Sequence, residues 1–266
     1  MRQLALLLIL AVFAAPALAE APPGPLIETW NYTFEPDPHS IWHGPQAASG
    51  VLVWAHGKSS MGYDERDTPV PPYVHLFNEA GWDIVRFNRG PMADDVHRAS
   101  GWLHDGLRRL RAMGWRAVIA AGQSRGAWND LMLLDTPGVA DAIIAISPAA
   151  QGFGANQVAG AQTDDLRSML DDTPRQSTRV AFVQFRNDLF IGSADARLRM
   201  MERFVAPNVG AMLIIDRPPG FSGHNAGSSA DFAQAYGACL LAFVTAPTPP
   251  ATCESRAVSA AGTTLR

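Results

Sequence analysis

Six short, predominantly apolar runs, separated by stretches with helical periodicity, are the feature that most limits how this chain folds. They are GVLVWAHG (50–57), GWDIVRFNRG (81–90), RAVIAAG (116–122), DAIIAIS (141–147), TRVAFVQF (178–185) and AMLIID (211–216). Strands that are apolar along their length are buried on both faces, which is typical of a parallel sheet covered by helices on either side. We therefore predict an α/β fold with a mostly parallel central sheet, helices on both faces, and a small cap or none.

The stretch between the second and third runs shows how the intervening segments are expected to form helices. Its apolar residues recur on one helical face, Asp94 and Asp95 favour its start, and Gly114 favours its end. Nearer the N-terminus, Leu26–Phe34 is predicted to form an edge strand. The segment Pro148–Thr178 has no clear strand and is the candidate for a small cap over the sheet.

The N-terminal residues 1–19 have the pattern of a cleavable signal peptide. Arg2 precedes an apolar core, and small residues lead up to Ala19, after which we expect cleavage. The apolar core is short for a membrane span, although a retained anchor is the alternative. We therefore expect a periplasmic or secreted protein without a stable membrane anchor, in which residues 20–266 form a single domain.

The two cysteines, Cys239 and Cys253, both lie in the C-terminal part of the chain. In an exported protein an even number of cysteines favours a disulfide, which here would attach the tail to the last helix. The alternative is a buried Cys239 and a free Cys253. The charge is less informative, since a net charge of −4 leaves no basic patch and argues against a nucleic-acid partner.

The third apolar run ends in Gly122-Gln123-Ser124-Arg125-Gly126, a G-x-S-x-G motif that is followed by a predicted helix. A strand before the motif and a helix after it are the context in which a sharp turn presents the serine hydroxyl above the sheet. The two glycines fit because a side chain at either position would collide with the neighbouring backbone.

With this motif, the chain from about Gly50 to Val244 resembles the α/β-hydrolase family, most closely its small esterase-like and dienelactone-hydrolase-like branches. The family orders its catalytic residues as nucleophile, acid and histidine. The resemblance implies that Ser124 is the nucleophile, Asp188 the acid and His224 the base. A capping or turn role is the alternative for Asp188, and Asp216 is the reserve acid.

The resemblance also implies an oxyanion hole built from two backbone N–H groups. One belongs to Arg125, the residue after the nucleophile. The other comes from the loop after the first run, where His56-Gly57 resembles the family's HG motif. Lys58 is the expected donor there, Ser59 is the second choice, and His56 is expected to hold the loop together.

Two further residues, Arg89 and Trp128, are predicted to contact the substrate. Arg89 forms part of a hypothesis in which arginines at the mouth of the site select a substrate with an anionic group; its other members are Arg86 and Arg125. Ion pairing with Asp94 or Asp130 is the alternative for these arginines. Trp128 is a candidate for an apolar acyl pocket, together with Trp54 and Phe221, although burial in the core is the common role of such residues.

These features predict an exported serine hydrolase that cleaves a carboxylic ester of a small molecule through a covalent acyl-enzyme. The resemblance implies that the reaction requires no metal and no organic cofactor. A peptidase or thioesterase that uses the same three residues is one alternative. A non-catalytic periplasmic binding protein with this fold is the other.

Overall fold

The computed structural model describes residues 23–59, 62–150 and 159–254. The predicted signal peptide, residues 1–19, lies outside the described residues. Within these ranges no helix is both long enough and apolar enough to cross a bilayer.

The core of the molecule is an eight-stranded sheet with the strand order β1-β2-β4-β3-β5-β6-β7-β8. Its strands are β1 (Ile27–Glu28), β2 (Tyr32–Pro36), β3 (Val51–Ala55), β4 (Asp83–Arg89), β5 (Val118–Gln123), β6 (Ala142–Ile146), β7 (Arg179–Gln184) and β8 (Ala211–Asp216). Strand β2 is antiparallel to β1 and β4, and the six strands from β3 to β8 are parallel to one another. The predicted α/β fold with a mostly parallel sheet is confirmed.

The single edge strand predicted over Leu26–Phe34 is instead a hairpin of β1 and β2. The chain reverses because the Thr29 hydroxyl accepts hydrogen bonds from the backbone N–H groups of Asn31 and Tyr32. This local bonding offers the backbone an alternative to continuing the strand. The turn lies beside the end of β4, since Tyr32 is paired with Arg89.

The helices are α1 (Pro72–Glu79), α2 (Val96–Met113), α3 (Arg125–Met132), α4 (Ala159–Leu170), α5 (Ala194–Met200), α6 (Ala230–Phe232) and α7 (Ala238–Thr245). Alternate residues of each strand face opposite layers. In β3, Val53 packs with α2 and α3 in one buried cluster, whereas Leu52 packs with α1 and α7 in the other. Helices therefore cover both faces, as predicted.

Helix α2 begins and ends where the sequence indicates. The Asp95 side chain caps its N-terminus by accepting a hydrogen bond from the backbone N–H of Arg98. Gly114 ends the helix with a φ of 118°, a conformation that favours glycine. The predicted cap segment contributes α4, whose Leu166 and Leu170 are buried in the cluster beside α2 and α3; residues 151–158 of that segment lie outside the described ranges.

Cys239 of α7 and Cys253 of the tail form a disulfide, with their Cα atoms 5.8 Å apart. The bridge attaches the C-terminal tail to the helix that packs beneath β7. Arg179 holds the same region from the sheet side, because its guanidinium donates to the backbone carbonyls of Phe243, Val244 and Ala246.

Candidate active site

The parallel strands end side by side, and this side of the sheet is here called the carboxyl edge. It is defined by the last residues of β3 to β8: Ala55, Arg89, Gln123, Ile146, Gln184 and Asp216. Backbone strain concentrates there. All non-glycine residues with a positive φ among the described residues follow β5, β6, β7 or β8 within three positions: Ser124, Ser147, Asn187 and Arg217. Such conformations are costly and cluster at functional sites.

Ser124 occupies the sharp turn between β5 and α3, with a φ of 56° and a ψ of −117°. Its backbone N–H donates to the carbonyl of Ile146, and its carbonyl accepts from the N–H of Ala149, so the end of β6 and the loop after it hold the turn. The glycines give the necessary space: a Cβ on Gly122 would lie 2.6 Å from Asp130 Oδ2, and one on Gly126 would overlap the Ala55 carbonyl. The turn therefore presents Ser124 at the carboxyl edge.

Asp188 and His224 meet above the ends of β7 and β8. His224 Nδ1 donates to both carboxylate oxygens of Asp188, at 2.8 and 2.9 Å. The Asp188 side chain is completely buried, and one of its oxygens also accepts from the Phe190 N–H at 2.9 Å. Because Nδ1 carries the proton, Nε2 holds the lone pair of the neutral ring.

His224 Nε2 is buried and has no hydrogen-bond partner among the described residues, so it is not bonded to Ser124 Oγ. The ring of Phe190 packs against the imidazole, with 4.5 Å between the ring centroids. An imidazole nitrogen with an unpaired lone pair is a candidate proton acceptor. The reserve acid Asp216 is engaged elsewhere, since its carboxylate pairs with Arg217 and accepts from Gln184.

Gln123 ties the histidine loop to the serine turn. Its side-chain amide donates to the His224 carbonyl at 3.0 Å and to Asn225 Oδ1 at 2.9 Å, and its amide oxygen accepts from Ser228. Gln123 and Ser124 are adjacent in sequence, so these bonds hold the backbone of His224 beside the turn that carries Ser124. The sequence carries one signal for this role of Gln123, a polar residue at the end of an apolar strand.

The loop after β3 lies on the other side of Ser124, since a Cβ on Gly57 would be 3.8 Å from Ser124 Cβ. His56 fixes this loop. Its Nε2 accepts from the Arg89 N–H at 2.9 Å, so the ring proton is on Nδ1, which donates to the Gly57 carbonyl at 2.7 Å. Burial and the nearby Arg89 charge hold the pKa of His56 well below its ordinary value, which keeps the ring neutral.

The Gly57 carbonyl also accepts from Arg89 Nη2 at 3.0 Å. In a trans peptide the C=O and the following N–H point in opposite directions, so the Lys58 N–H is turned away from Arg89. No group among the described residues accepts from the Lys58 N–H. The Ser59 N–H, in contrast, donates to Asp94 Oδ2 at 2.7 Å and is occupied.

The structure corrects the expectation that Arg89 contacts the substrate. Arg89 is completely buried, its Nη2 donates to the His56 carbonyl at 2.6 Å, and its Nε pairs with Asp94 at 3.1 Å. A residue at a strand end lies at the edge of the sheet, but the pleat turns this side chain into the layer below α3. Arg89 is instead a support of the loop after β3.

Trp128 is likewise buried, in the cluster between α3 and the sheet, and is not exposed to a substrate. The Arg125 side chain is also buried, and its Nη1 donates to the Asp94 carbonyl at 2.7 Å. Two of the three arginines in the anionic-substrate hypothesis, Arg89 and Arg125, are therefore buried, and only Arg86 remains a candidate. The Arg125 backbone N–H, in the first turn of α3, has no acceptor within the helix.

Two buried ionisable groups behind the site were not singled out as functional by the sequence. Burial lowers the pKa of Arg197 to about 10, an effect that Asp188 partly offsets. Arg197 donates to the carbonyls of Ile191 and Pro148 and so joins the acid loop to the loop after β6. Asp130 lies beside Gly122, and complete burial raises its pKa well above the ordinary value.

Among the described residues, no group of three or more His, Cys, Asp or Glu side chains is arranged to hold a metal ion. The carboxyl edge brings together one serine, one carboxylate–imidazole pair and the backbone N–H groups of Lys58 and Arg125, neither of which has an acceptor in the part of the chain that the structure describes.

No family model and no curated protein matches the sequence. Similar folds occur among solved structures. Est1E from Butyrivibrio proteoclasticus has a TM-score of 0.51 and 15% identity, over 77% of this chain and 90% of that one. A puromycin-hydrolyzing peptidase from Mycobacterium tuberculosis has a TM-score of 0.51 and 16% identity, over 83% of this chain but only 39% of the peptidase. These structures share the α/β-hydrolase fold, and the chain described here has that fold as well.

Proposed function

We propose that the protein is an exported serine hydrolase that cleaves a carboxylic ester with Ser124, His224 and Asp188. The observation that carries the proposal is the Asp188–His224 pair, which leaves a buried Nε2 lone pair on a loop that Gln123 ties to the serine turn. A serine hydroxyl needs such a base to become a nucleophile, and the base needs an acid to orient it.

In the proposed first step, Ser124 Oγ attacks the ester carbonyl carbon while its proton passes to His224 Nε2. Asp188 holds the imidazole in the tautomer that leaves Nε2 free and stabilises the imidazolium that forms. The negative charge on the carbonyl oxygen is stabilised by the N–H groups of Lys58 and Arg125. The tetrahedral intermediate then collapses, and the alkoxide leaves with the proton from His224.

In the second step, water attacks the acyl-enzyme. His224 takes a proton from the water, the oxyanion forms again in the same place, and collapse of the intermediate breaks the bond to Ser124 Oγ. The carboxylic acid is released and Oγ regains its proton. The Ser59 N–H is already bonded to Asp94, whereas the Lys58 N–H has no acceptor among the described residues. This contrast supports Lys58 as the oxyanion donor from the loop after β3.

The test is labelling with a fluorophosphonate, which reacts with an activated serine. We expect the parent protein to be labelled at Ser124, and Ser124→Ala to be unlabelled and to lose at least about a thousand-fold in kcat on p-nitrophenyl esters. Ser168→Ala, which changes an exposed serine on α4, is the control and should behave as the parent does.

Absence of labelling in the folded parent protein would contradict the proposal and favour the binding-protein alternative. The substrate panel should include esters of increasing acyl length, a thioester and a peptide amide, because one of the proteins with a similar fold is a peptidase by name. We expect the ester with the best-fitting acyl chain to have the highest kcat/KM.

A further inference from the structure

Large apolar side chains that are exposed to solvent are unevenly distributed over the molecule. Among the described residues there are six: Trp30 (104% exposed), Met92 (85%), Leu189 (68%), Tyr63 (60%), Ile41 (56%) and Met113 (39%). Single exposed apolar residues are common, but a group of them on one side of a protein marks an interaction surface.

The four most exposed residues all lie at the carboxyl edge. Trp30 is in the β1–β2 turn, where the Asn31 carbonyl accepts from the Gly90 N–H just beyond β4. Tyr63, Met92 and Leu189 are in the loops that follow β3, β4 and β7. We call these four side chains the apolar rim.

The two least exposed residues lie at the opposite edge. The Ile41 N–H donates to Asn78, near the end of α1, just before β4 begins. Met113 is the last residue of α2, just before β5 begins. Exposed apolar side chains are therefore more numerous, and individually more exposed, at the edge that carries Ser124.

The rim extends on both sides of Ser124. From β2 to β7 there are five strand spacings of about 4.8 Å, which gives a length of about 24 Å, and β5 lies near the middle. A flat apolar surface that meets the rim would thus lie across the serine turn.

We propose that the apolar rim binds the surface of a lipid aggregate, and that the ester cleaved by the site is carried in that aggregate. The part of this inference that concerns the substrate rests on the proposed hydrolase function; the binding of lipid does not. The site then takes an ester whose acyl chains lie in the apolar layer while its carbonyl is at the water boundary.

The form of the rim favours a lipid surface over a protein partner. Its four side chains lie on four separate loops. A stable protein interface, in contrast, is one packed surface of about 800 Å² on each partner. Trp30 and Tyr63 are of the residue types that settle at the boundary between lipid and water, where an apolar ring and a polar group are both satisfied. A fluid lipid surface accommodates separated side chains that a rigid partner would not.

The test measures partition of residues 20–266, the chain expected after removal of the apolar signal peptide, in its Ser124→Ala form, into vesicles of zwitterionic phosphatidylcholine. These vesicles carry no net charge, so a net charge of −4 does not decide the outcome. We expect Trp30→Ser/Met92→Ser to lose about ten-fold or more in partition, since two apolar side chains no longer leave water. Ile41→Ser/Met113→Ser is the matched control at the opposite edge and should stay within about two-fold of the parent.

Fluorescence gives a second readout. Of the seven tryptophans, all of which are described, Trp30 is fully exposed, Trp102 is partly buried and the other five are buried, so brominated phosphatidylcholine should quench Trp30 most strongly. Three results would each overturn the proposal: the parent does not partition, the rim variant partitions as the parent does, or the control loses as much partition as the rim variant. The proposal would also be overturned if light scattering showed that the parent forms a dimer through the rim and does not bind vesicles.

Activity separates this proposal from the proposed function. With Ser124 present, the rim variant should hydrolyse a soluble short-chain ester as the parent does and lose about ten-fold on an ester embedded in vesicles. Protein that binds vesicles but cleaves neither ester would refute the hydrolase alone. Protein that cleaves the soluble ester but does not bind vesicles would refute the rim alone.

Discussion

At the scale of single residues, two carboxylates compete for the role of the acid. Asp188 lies in the loop after β7 and Asp216 is the last residue of β8, and the sequence, which favours Asp188, keeps Asp216 in reserve. The contacts separate them: Asp188 accepts two hydrogen bonds from His224, whereas Asp216 is paired with Arg217. The direction of the two side chains decides which carboxylate reaches His224, and the order of the strands alone does not specify that direction.

Asp188→Asn should therefore lower kcat by about ten-thousand-fold, because an amide no longer holds the productive tautomer of the imidazole. Asp216→Asn, the matched control, should retain kcat within a few-fold of the parent. Steady-state kinetics on a soluble ester measure both variants. Equal losses in the two variants, or a loss confined to Asp216→Asn, would show that the acid has been assigned wrongly.

At the scale of elements, the loop after β3 depends on the end of β4. Arg89 donates to the carbonyls of His56 and Gly57, and Asp94 accepts from the Ser59 N–H. These bonds orient the peptide group whose N–H belongs to Lys58. In the proposed mechanism Arg89 is thus a positioning residue that acts through the loop after β3.

Arg89→Lys should lower kcat by about ten-fold and leave KM within about two-fold, because the oxyanion donor is displaced while substrate binding is retained. Arg86→Lys is the control, since Arg86 is on the same strand and has no ion pair among the described residues. Kinetics and thermal unfolding are measured together. A rise in KM at constant kcat would instead assign Arg89 to substrate binding.

At the scale of the whole molecule, one feature of the core reduces stability at neutral pH. Asp130 is completely buried beside the serine turn, and its carboxylate oxygens have no hydrogen-bond partner among the described residues. Burial raises its pKa in the folded state well above the unfolded value of about 3.9. The folded state therefore retains a proton that the unfolded chain releases, and stability falls as the pH rises above about 4.

Asp130→Asn removes this proton linkage while nearly keeping the side-chain shape. At pH 7 the free energy of unfolding of the variant should exceed that of the parent by about 1.4 kcal/mol for each unit by which the folded pKa of Asp130 is raised. This difference should shrink towards pH 4. Denaturant unfolding at both pH values is the measurement. Asp165→Asn, on the exposed face of α4, is the control. A gain that is independent of pH would contradict the explanation.

The local pattern of the sequence determined the strands of the parallel sheet, both ends of α2 and the turn at Ser124. Each of these depends on residues close together in the chain: an apolar run, a capping Asp95, a pair of glycines. Such signals act through backbone conformation and burial, which are specified over a few residues.

Only the tertiary structure decided which side chains meet across the carboxyl edge. Gln123 bonds to a loop 101 residues away, Arg89 turns inward onto the loop after β3, and the β1–β2 turn brings Trp30 to the edge that carries Ser124. These contacts depend on strand order and on the side of the sheet that each side chain faces. No local pattern contains that information, because strands distant in sequence become neighbours only when the sheet is assembled.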